Sequence, residues 1–253
     1  MVLAKAPFCR LQLQSTELLK RRTNYMRPSS SQIRRLRIED AQIRFSYREG
    51  AQSQTRNIRK PSTRWRGNSE RPLRPVRYVD LSRIQPVGAR VGYLKLLKGG
   101  VTEGEHTAFD AARLGRYSHV MGKRYGAAGI STTSLDNRRT VPVISFDNHR
   151  YSGFHQGAGE LAAAELLAFD LPNYSLVLID ELETSLHPRA QRRLVDDLVR
   201  LARVNELQIL ITTHSPYILE QLPPQGRMYI MDGVQGKIAS SGRSARSSRS
   251  LGC

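Results

Sequence analysis

Apolar positions fall into regular patterns from residue 153 onward and show little order before residue 76. Residues 175–180 (SLVLID) form a continuous apolar run that ends in acid, the pattern of a strand buried on both faces. Residues 207–213 (LQILITT) read the same way, and 227–231 (RMYIM) reads as a third strand. Between the first two, Pro188 at a first-turn position opens a helix over 188–205. Leu194, Leu198 and Leu201 recur there with helical spacing, and Val195, Val199 and Ala202 widen the stripe. Residues 159–169 (GELAAAELLAF) are rich in helix formers and stop at Asp170-Leu171-Pro172. A series of strand, helix, strand, short helix and strand predicts an α/β fold with a parallel sheet flanked by helices. Upstream, 76–81 (VRYVDL) and 141–146 (VPVISF) predict strands. A helix is expected over 107–121, with Phe109, Ala112, Leu114 and Val120 as its apolar positions.

Residues 1–75 offer only short apolar pieces such as Ile33, Leu36 and Ile38 among scattered Arg, Ser, Gln and Asn. Such a segment gains little by burial and is expected to stay mobile. Residues 240–250 (SSGRSARSSRS) are of low complexity and expected to be disordered. The expected organisation is a basic arm over 1–75, an α/β core over 76–235 and a basic tail over 236–253.

Charge sharpens this division. The 253 residues carry 40 Lys and Arg against 22 Asp and Glu, a formal net charge of +18. Residues 1–90 hold 21 basic and 6 acidic side chains, whereas 151–235 hold 6 and 11. The whole surplus lies outside the patterned segment. Arg outnumbers Lys by 33 to 7, a bias that GC-rich coding also produces. Cys9 and Cys253 stand at opposite ends, which excludes a disulfide framework or a cysteine zinc cluster. No apolar run reaches the ~18 residues of a membrane span, and 1–10 has no signal-peptide core, so a cytoplasmic location is expected.

The patterned segment also carries chemistry. Ligands of an open parallel sheet sit at the carboxyl ends of its strands. One strand here ends in Asp180-Glu181 and the next in Thr212-Thr213-His214-Ser215. An apolar strand followed by two acids suits phosphoryl transfer: Asp180 can hold Mg2+ through its water shell, and Glu181 can polarise an attacking water. Upstream, Gln156-Gly157-Ala158-Gly159-Glu160 opens a helix and exposes backbone N–H groups at its N-terminus, an anion site by geometry and dipole. Taken singly, each feature reads more readily as a solvated loop, a glycine-rich cap or a structural histidine. Four in one order across 153–232, with Ser185-Leu186-His187-Pro188 between them, are harder to dismiss.

Residues 156–160, 176–181, 185–188 and 212–216 together resemble the signature turn, Walker B strand, D-loop and switch-histidine loop of ABC-type ATPases. The Ser-Leu-His-Pro D-loop is more similar to the RecF, SMC and OLD-like group, with links to DNA repair or phage defence, than to transporters. The resemblance implies a P-loop NTPase-type core that binds and hydrolyses ATP with Mg2+. Asp180 would order the metal, Glu181 would be the general base, and His214 would meet the γ-phosphate or the attacking water. Gly157, Ala158, Gly159 and Glu160 would reach the γ-phosphate of ATP held by an opposite protomer, with Ser185 and His187 lining that interface. Two departures weaken the match: Gly157 stands where many relatives place Ser, and Leu182 where Pro is common.

A larger departure is an absence. No G-x-x-x-x-G-K-[ST] occurs in the 253 residues; 233–237 (GVQGK) is too short, and 99–104 (GGVTEG) lacks the Lys and the hydroxyl. Without that loop nothing in the sequence cradles the α- and β-phosphates. Three explanations stand: a truncated product, a degenerate ATPase that offers its signature face to a partner's P-loop, or ends read from a shifted frame. Truncation or frame disruption accounts best for both ends losing pattern while the middle keeps it. Dependence on a homodimer mate or a hetero-partner carrying a P-loop is then expected, with weak hydrolysis by the chain alone. The alternative function is non-hydrolytic: DNA contact through the basic arm, where Arg21-Arg22, Arg34-Arg35-x-Arg37 and Trp65 between Arg64 and Arg66 suit phosphate backbones and stacking.

Overall fold

The computed structural model describes residues 2–5, 41–49, 51–62, 64–67, 74–80, 85–90, 92–97, 101–233 and 236–241. In chain order the strands and α-helices are β1 (Val2–Lys5), β2 (Ala41–Glu49), β3 (Gln52–Lys60), β4 (Val76–Val79), β5 (Glu103–Ala108), α1 (Ala111–Met121), β6 (Ala127–Thr133), β7 (Asp136–Phe146), β8 (His149–Ser152), α2 (Ala158–Ala168), β9 (Leu176–Ile179), α3 (Pro188–Val204), β10 (Gln208–Ile211), α4 (Pro216–Glu220), β11 (Met228–Gly233) and β12 (Gly236–Ser241). They divide into two units, one of residues 1–5 and 75–227, the other of 6–74 and 228–253.

The larger unit is built on the two apolar runs that the sequence marks most strongly. β9 and β10 lie side by side in parallel, in register from Leu176↔Gln208 to Ile179↔Ile211. β4 adds in parallel to the other side of β9, and β1 runs antiparallel along β10, giving the order β1-β10-β9-β4. Val177, Ile179, Ile209 and Ile211 line one fully buried face, whereas Leu176, Leu178 and Leu210 on the other face are half-buried, so the expected burial on both faces is complete on one side only. The α3 stripe delivers Ala190, Leu194, Val195, Leu198 and Ala202 to the same core, while Leu201 and Val199 pack at its margin. Asp197 on α3 is buried and accepts from Arg116 Nε at 2.9 Å and Arg200 Nη2 at 2.7 Å, which ties α1 to α3 with a paired charge.

Two sequence expectations need correction. The helix expected over 107–121 begins at Ala111: Asp110 accepts from Arg113 N–H at 2.6 Å and caps it, and the preceding residues belong to β5, where Thr107 pairs with Ile130. It ends on Gly122 in the left-handed region. The third strand also has a different place. β11 pairs with β12 as an antiparallel hairpin in the smaller unit, and the parallel sheet takes β4 as its third member. A partner two residues away in sequence costs little loop-closure entropy, so the local hairpin forms.

The remaining strands of the larger unit form an antiparallel meander, β5-β6-β7-β8. Its outer strands are joined directly: Glu103 on β5 accepts from Arg150 on β8 at 2.6 and 2.7 Å. In a flat sheet those strands would lie about 14 Å apart. The ion pair therefore requires the meander to curl. In the smaller unit, β2 and β3 pair antiparallel from Ala41↔Lys60 to Glu49↔Gln52. The segment 1–75 thus contributes β1, β2 and β3; β2 alternates Ala41, Ile43, Phe45 and Tyr47 with polar residues, a strand period the sequence reading passed over, while β3 is mostly polar. Arg21-Arg22, Arg34-Arg35-x-Arg37 and residues 242–253 lie outside the described residues. Among the described residues no helix is long and apolar enough to cross a membrane.

The Glu103 ion pair makes stability depend on pH. Hydrogen bonds from Arg150 and then Ser131 hold its carboxyl at about 2, against 4.5 ordinarily. A depressed folded-state pKa adds stability above the ordinary value and loses it as pH falls through the folded one. Thermal unfolding of the protein and of Glu103→Gln should differ most above pH 5, with the variant melting lower, and converge near pH 2.

Candidate functional site

The parallel register of β9 and β10 sets the loops at their carboxyl ends side by side. The ladder continues past the strands: Asp180 N–H donates to Val79 O at 2.9 Å, and Thr212 N–H to Ile179 O at 3.0 Å. Thr212 then links both acids, accepting from Glu181 N–H at 2.8 Å and donating from Oγ1 to Asp180 Oδ1. Glu183 reaches the same loop, accepting from Thr213 Oγ1 and His214 N–H, each at 2.6 Å. Asp180, Glu181 and the His214 loop therefore share one edge of the sheet.

The loop 181–187, which contains the expected D-loop, is shaped by two residues with left-handed backbone, Glu181 (φ 44°) and Ser185 (φ 66°). Residues other than Gly rarely adopt this conformation, and each case costs of order 1–3 kcal/mol and persists only where its surroundings enforce it. Here they do. Thr184 donates to Glu181 O through N–H at 3.1 Å and through Oγ1 at 2.9 Å. Gln191, buried on α3, donates to Leu186 O at 2.8 Å and accepts from Ser215 Oγ at 2.6 Å. One amide thus clamps the 181–187 loop to the loop after β10.

The expected signature turn meets this assembly through the same loop. A Cβ on Gly159 would stand 2.8 Å from Ser185 O, so the first turn of α2 approaches that carbonyl as only glycine allows. Gly157 is the N-cap of α2 with no side-chain cap, and the first intrahelical bond is Leu161 N–H to Gly157 O. The N–H groups of Ala158, Gly159 and Glu160 precede it.

Two expected site residues have other tasks in this structure. The Glu160 carboxylate joins a tyrosine cluster: it accepts from Tyr125 OH at 2.6 Å and Tyr151 OH at 3.4 Å, and lies 3.6 Å from Lys123 Nζ. Tyr117, fully buried, donates to the Glu160 carbonyl at 3.3 Å. Burial, with the adjacent Glu160 charge, raises the pKa of Tyr117, Tyr125 and Tyr151, so these phenols stay donors across the usual pH range. The Glu160 carboxylate is thus committed to these phenols, while its N–H stays in the first turn of α2. His187 is the N-cap of α3, its Nδ1 accepting from Arg189 N–H at 3.3 Å.

Sequence reading missed Glu183, Gln191 and the three tyrosines as supports of the site. Glu183 stood beside the named motifs, but Gln191, Tyr117, Tyr125 and Tyr151 act across sequence distances that no short pattern encodes. Among the described residues no three His, Cys, Asp or Glu side chains gather into a metal cage. A separate cleft of about 500 Å³ beside β4, with Arg90, Tyr93, Phe109 and Arg113 in its wall, includes none of the sequence-derived residues.

Residues 157–220 match the family model described as "AAA domain, putative AbiEii toxin, Type IV TA system". That span, about a quarter of the chain, runs from Gly157 past the His214 loop and is similar to an AAA-type ATPase domain. No curated protein matches the sequence. Among solved structures, one from work on ATP-driven dimerization and DNA-stimulated activation of SMC ATPases is similar at 12% identity and a TM-score of 0.39, covering 55% of this chain and 86% of that one.

The Gly159 contact is open to test. Gly159→Ala places a methyl group against a backbone carbonyl, so α2 or the 181–187 loop must move. The variant should melt several degrees lower. Gly157→Ala, whose Cβ meets nothing closer than 4.0 Å, should melt within about a degree of the parent. Equal melting of the two, by circular dichroism, would show that the close approach at Gly159 constrains nothing.

Proposed function

We propose that this chain binds ATP with Mg2+ and takes part in its hydrolysis in the manner of the RecF/SMC/OLD-like ATPases, supplying a signature and Walker B face to a second protomer that supplies the P-loop. The observation that carries the reading is the meeting, at one sheet edge, of paired acids after β9, a histidine loop after β10 and a helix N-terminus packed on the loop between them.

The donor set fits half of a nucleotide site. Carboxylate oxygens suit Mg2+, and with no protein cage among the described residues the ion would draw its other ligands from water and phosphate. Bound there, the ion supplies charge neutralisation for the phosphates. Asp180 is held in place by Thr212, which suits a metal-ordering carboxylate. Glu181 sits on a strained backbone that the Thr184 bonds maintain, which suits a base held in one orientation toward water. His214 is exposed while its N–H is anchored by Glu183, so the loop is fixed and the imidazole is available to a phosphate. The N–H groups at the start of α2 would receive the γ-phosphate from across the interface, with Ser185 beside them.

β1 does not bring a P-loop to these residues from within the chain. It runs antiparallel to β10, so its carboxyl end lies at the sheet edge opposite Asp180. The reading therefore assigns the P-loop to a second protomer. Added to a P-loop-bearing ATPase of this group, the chain should form mixed dimers only with Mg2+ and ATP, seen as earlier elution in size-exclusion runs. Glu181→Gln and Asp180→Ala should each lower phosphate release by the mixture roughly 10²-fold or more. Rapid turnover by the chain alone, or elution indifferent to nucleotide, would count against this reading.

A further inference from the structure

We propose that the β2–β3 ribbon, widened by residues 64–67, is a docking surface for single-stranded nucleic acid. This surface lies wholly within the smaller unit and owes nothing to the ATPase reading.

The ribbon gains a third segment that no apolar pattern marks. Arg59 and Arg66 exchange both backbone hydrogen bonds, N–H to O at 3.0 and 2.7 Å, which lays 64–67 antiparallel against the outer side of β3. Gly67 comes next with φ 86°, and a Cβ there would stand 2.7 Å from Asn57 O, so the segment is pressed onto the strand. Paired residues of an antiparallel ladder project to one face, and alternate residues of a strand do likewise. One face therefore carries Arg66, Arg59, Asn57 and Thr55 with their cross-strand neighbours Arg44 and Ser46. These positions include no large apolar side chain and no acid.

Its polar members are ordered. Arg44 Nε donates to Asn57 Oδ1 at 3.2 Å, and the Ser46 and Thr55 hydroxyls lie 2.8 Å apart. Arg59, Arg64 and Arg66 are exposed and form no ion pair among the described residues. Neighbouring cations on the face spring from backbone positions roughly 5–8 Å apart, a spacing that a flexible phosphodiester chain can follow. Between residues 41 and 67 stand seven Lys and Arg and a single acid, Glu49.

The other requirement for a single strand is a surface on which an unpaired base can stack. Trp65 lies between Arg64 and Arg66 on the outermost segment and is 44% exposed; by the same alternation it projects to the side opposite Arg66, so the arginine row and the indole flank the outer margin of the described ribbon, and a strand crossing that margin meets both. Base–indole stacking together with phosphate contacts to Arg distinguishes a single-strand surface from a purely electrostatic one. A paired duplex would present phosphates to the arginines and no free base face to the indole.

Trp65 is the single tryptophan of the chain, so its fluorescence reports this surface alone. Titration of the full chain with oligo-dT or oligo-rU of about 20 nucleotides should quench that emission saturably. The quench should weaken steeply as salt rises, and the two oligomers distinguish DNA from RNA as the preferred strand. A duplex of equal length should bind at least tenfold more weakly, without quenching. The Arg44→Gln/Arg59→Gln/Arg66→Gln variant should lose tenfold or more in affinity, and its slope of log affinity against log salt should shrink by about two, since each phosphate contact contributes roughly 0.7. Trp65→Phe, followed with a labelled oligomer, should retain the parent salt slope and bind severalfold more weakly. An unquenched tryptophan, equal binding of duplex, or triple-variant binding as tight as the parent's would each overturn the proposal.

Discussion

The parallel register of β9 and β10 is the constraint on which the rest of the candidate site depends. Because Ile179 lies opposite Ile211, the next residues of both strands emerge together, and Thr212 can bridge to both Asp180 and the N–H of Glu181. A slip of one residue would turn the buried side chains to the wrong face and pull the two loops apart. Burial fixes the register: Val177, Ile179, Ile209 and Ile211 fill the covered face, the face of Leu176, Leu178 and Leu210 is only half-covered, and α3 seals the crossover with its leucine stripe. The chemistry at the edge is thus a product of the core beneath it.

A second layer of order comes from residues that carry no reactive role themselves. Gln191 holds two loops with one amide, Glu183 holds the histidine loop by its backbone, and Gly159 permits the start of α2 to touch the 181–187 loop. Glu160 ties the same turn back to the antiparallel meander through Tyr125 and Tyr151. Reactive groups in such a setting are positioned by neighbours whose own hydrogen bonds are already committed, which keeps the cost of organising them out of any binding step.

What the sequence revealed depended on the range of the interactions involved. β9, α3 and β10 were legible because their apolar periods are local and strong, and the acids and histidine at the strand ends could be read with them. The start of α1 was not: apolar Phe109 and Ala112 suggested a helix reaching back to 107, whereas the Asp110 cap and the pairing of Thr107 with Ile130 fixed the boundary. β11 looked like a sheet strand, but its partner was a nearby strand at the start of the expected tail. β2 and β3 were hidden for a different reason. β2 does alternate Ala41, Ile43, Phe45 and Tyr47 with polar residues, but β3 answers with a single large apolar residue, Ile58, and its other pairs are Ser with Thr, Arg with Asn and Tyr with Gln.

The bond between Glu103 and Arg150 has a bearing on how the protein behaves in a crowded solution. Exposed strand margins are templates on which other chains can add, and natural sheets protect them with charge, twist or closure. By drawing the outer strands of the meander toward each other, this ion pair combines curvature with charge at the place where stacking between molecules would begin. A surface as cationic as this one encounters many polyanions, and a meander with its borders drawn inward gives such encounters less opportunity to end in fibrous assembly.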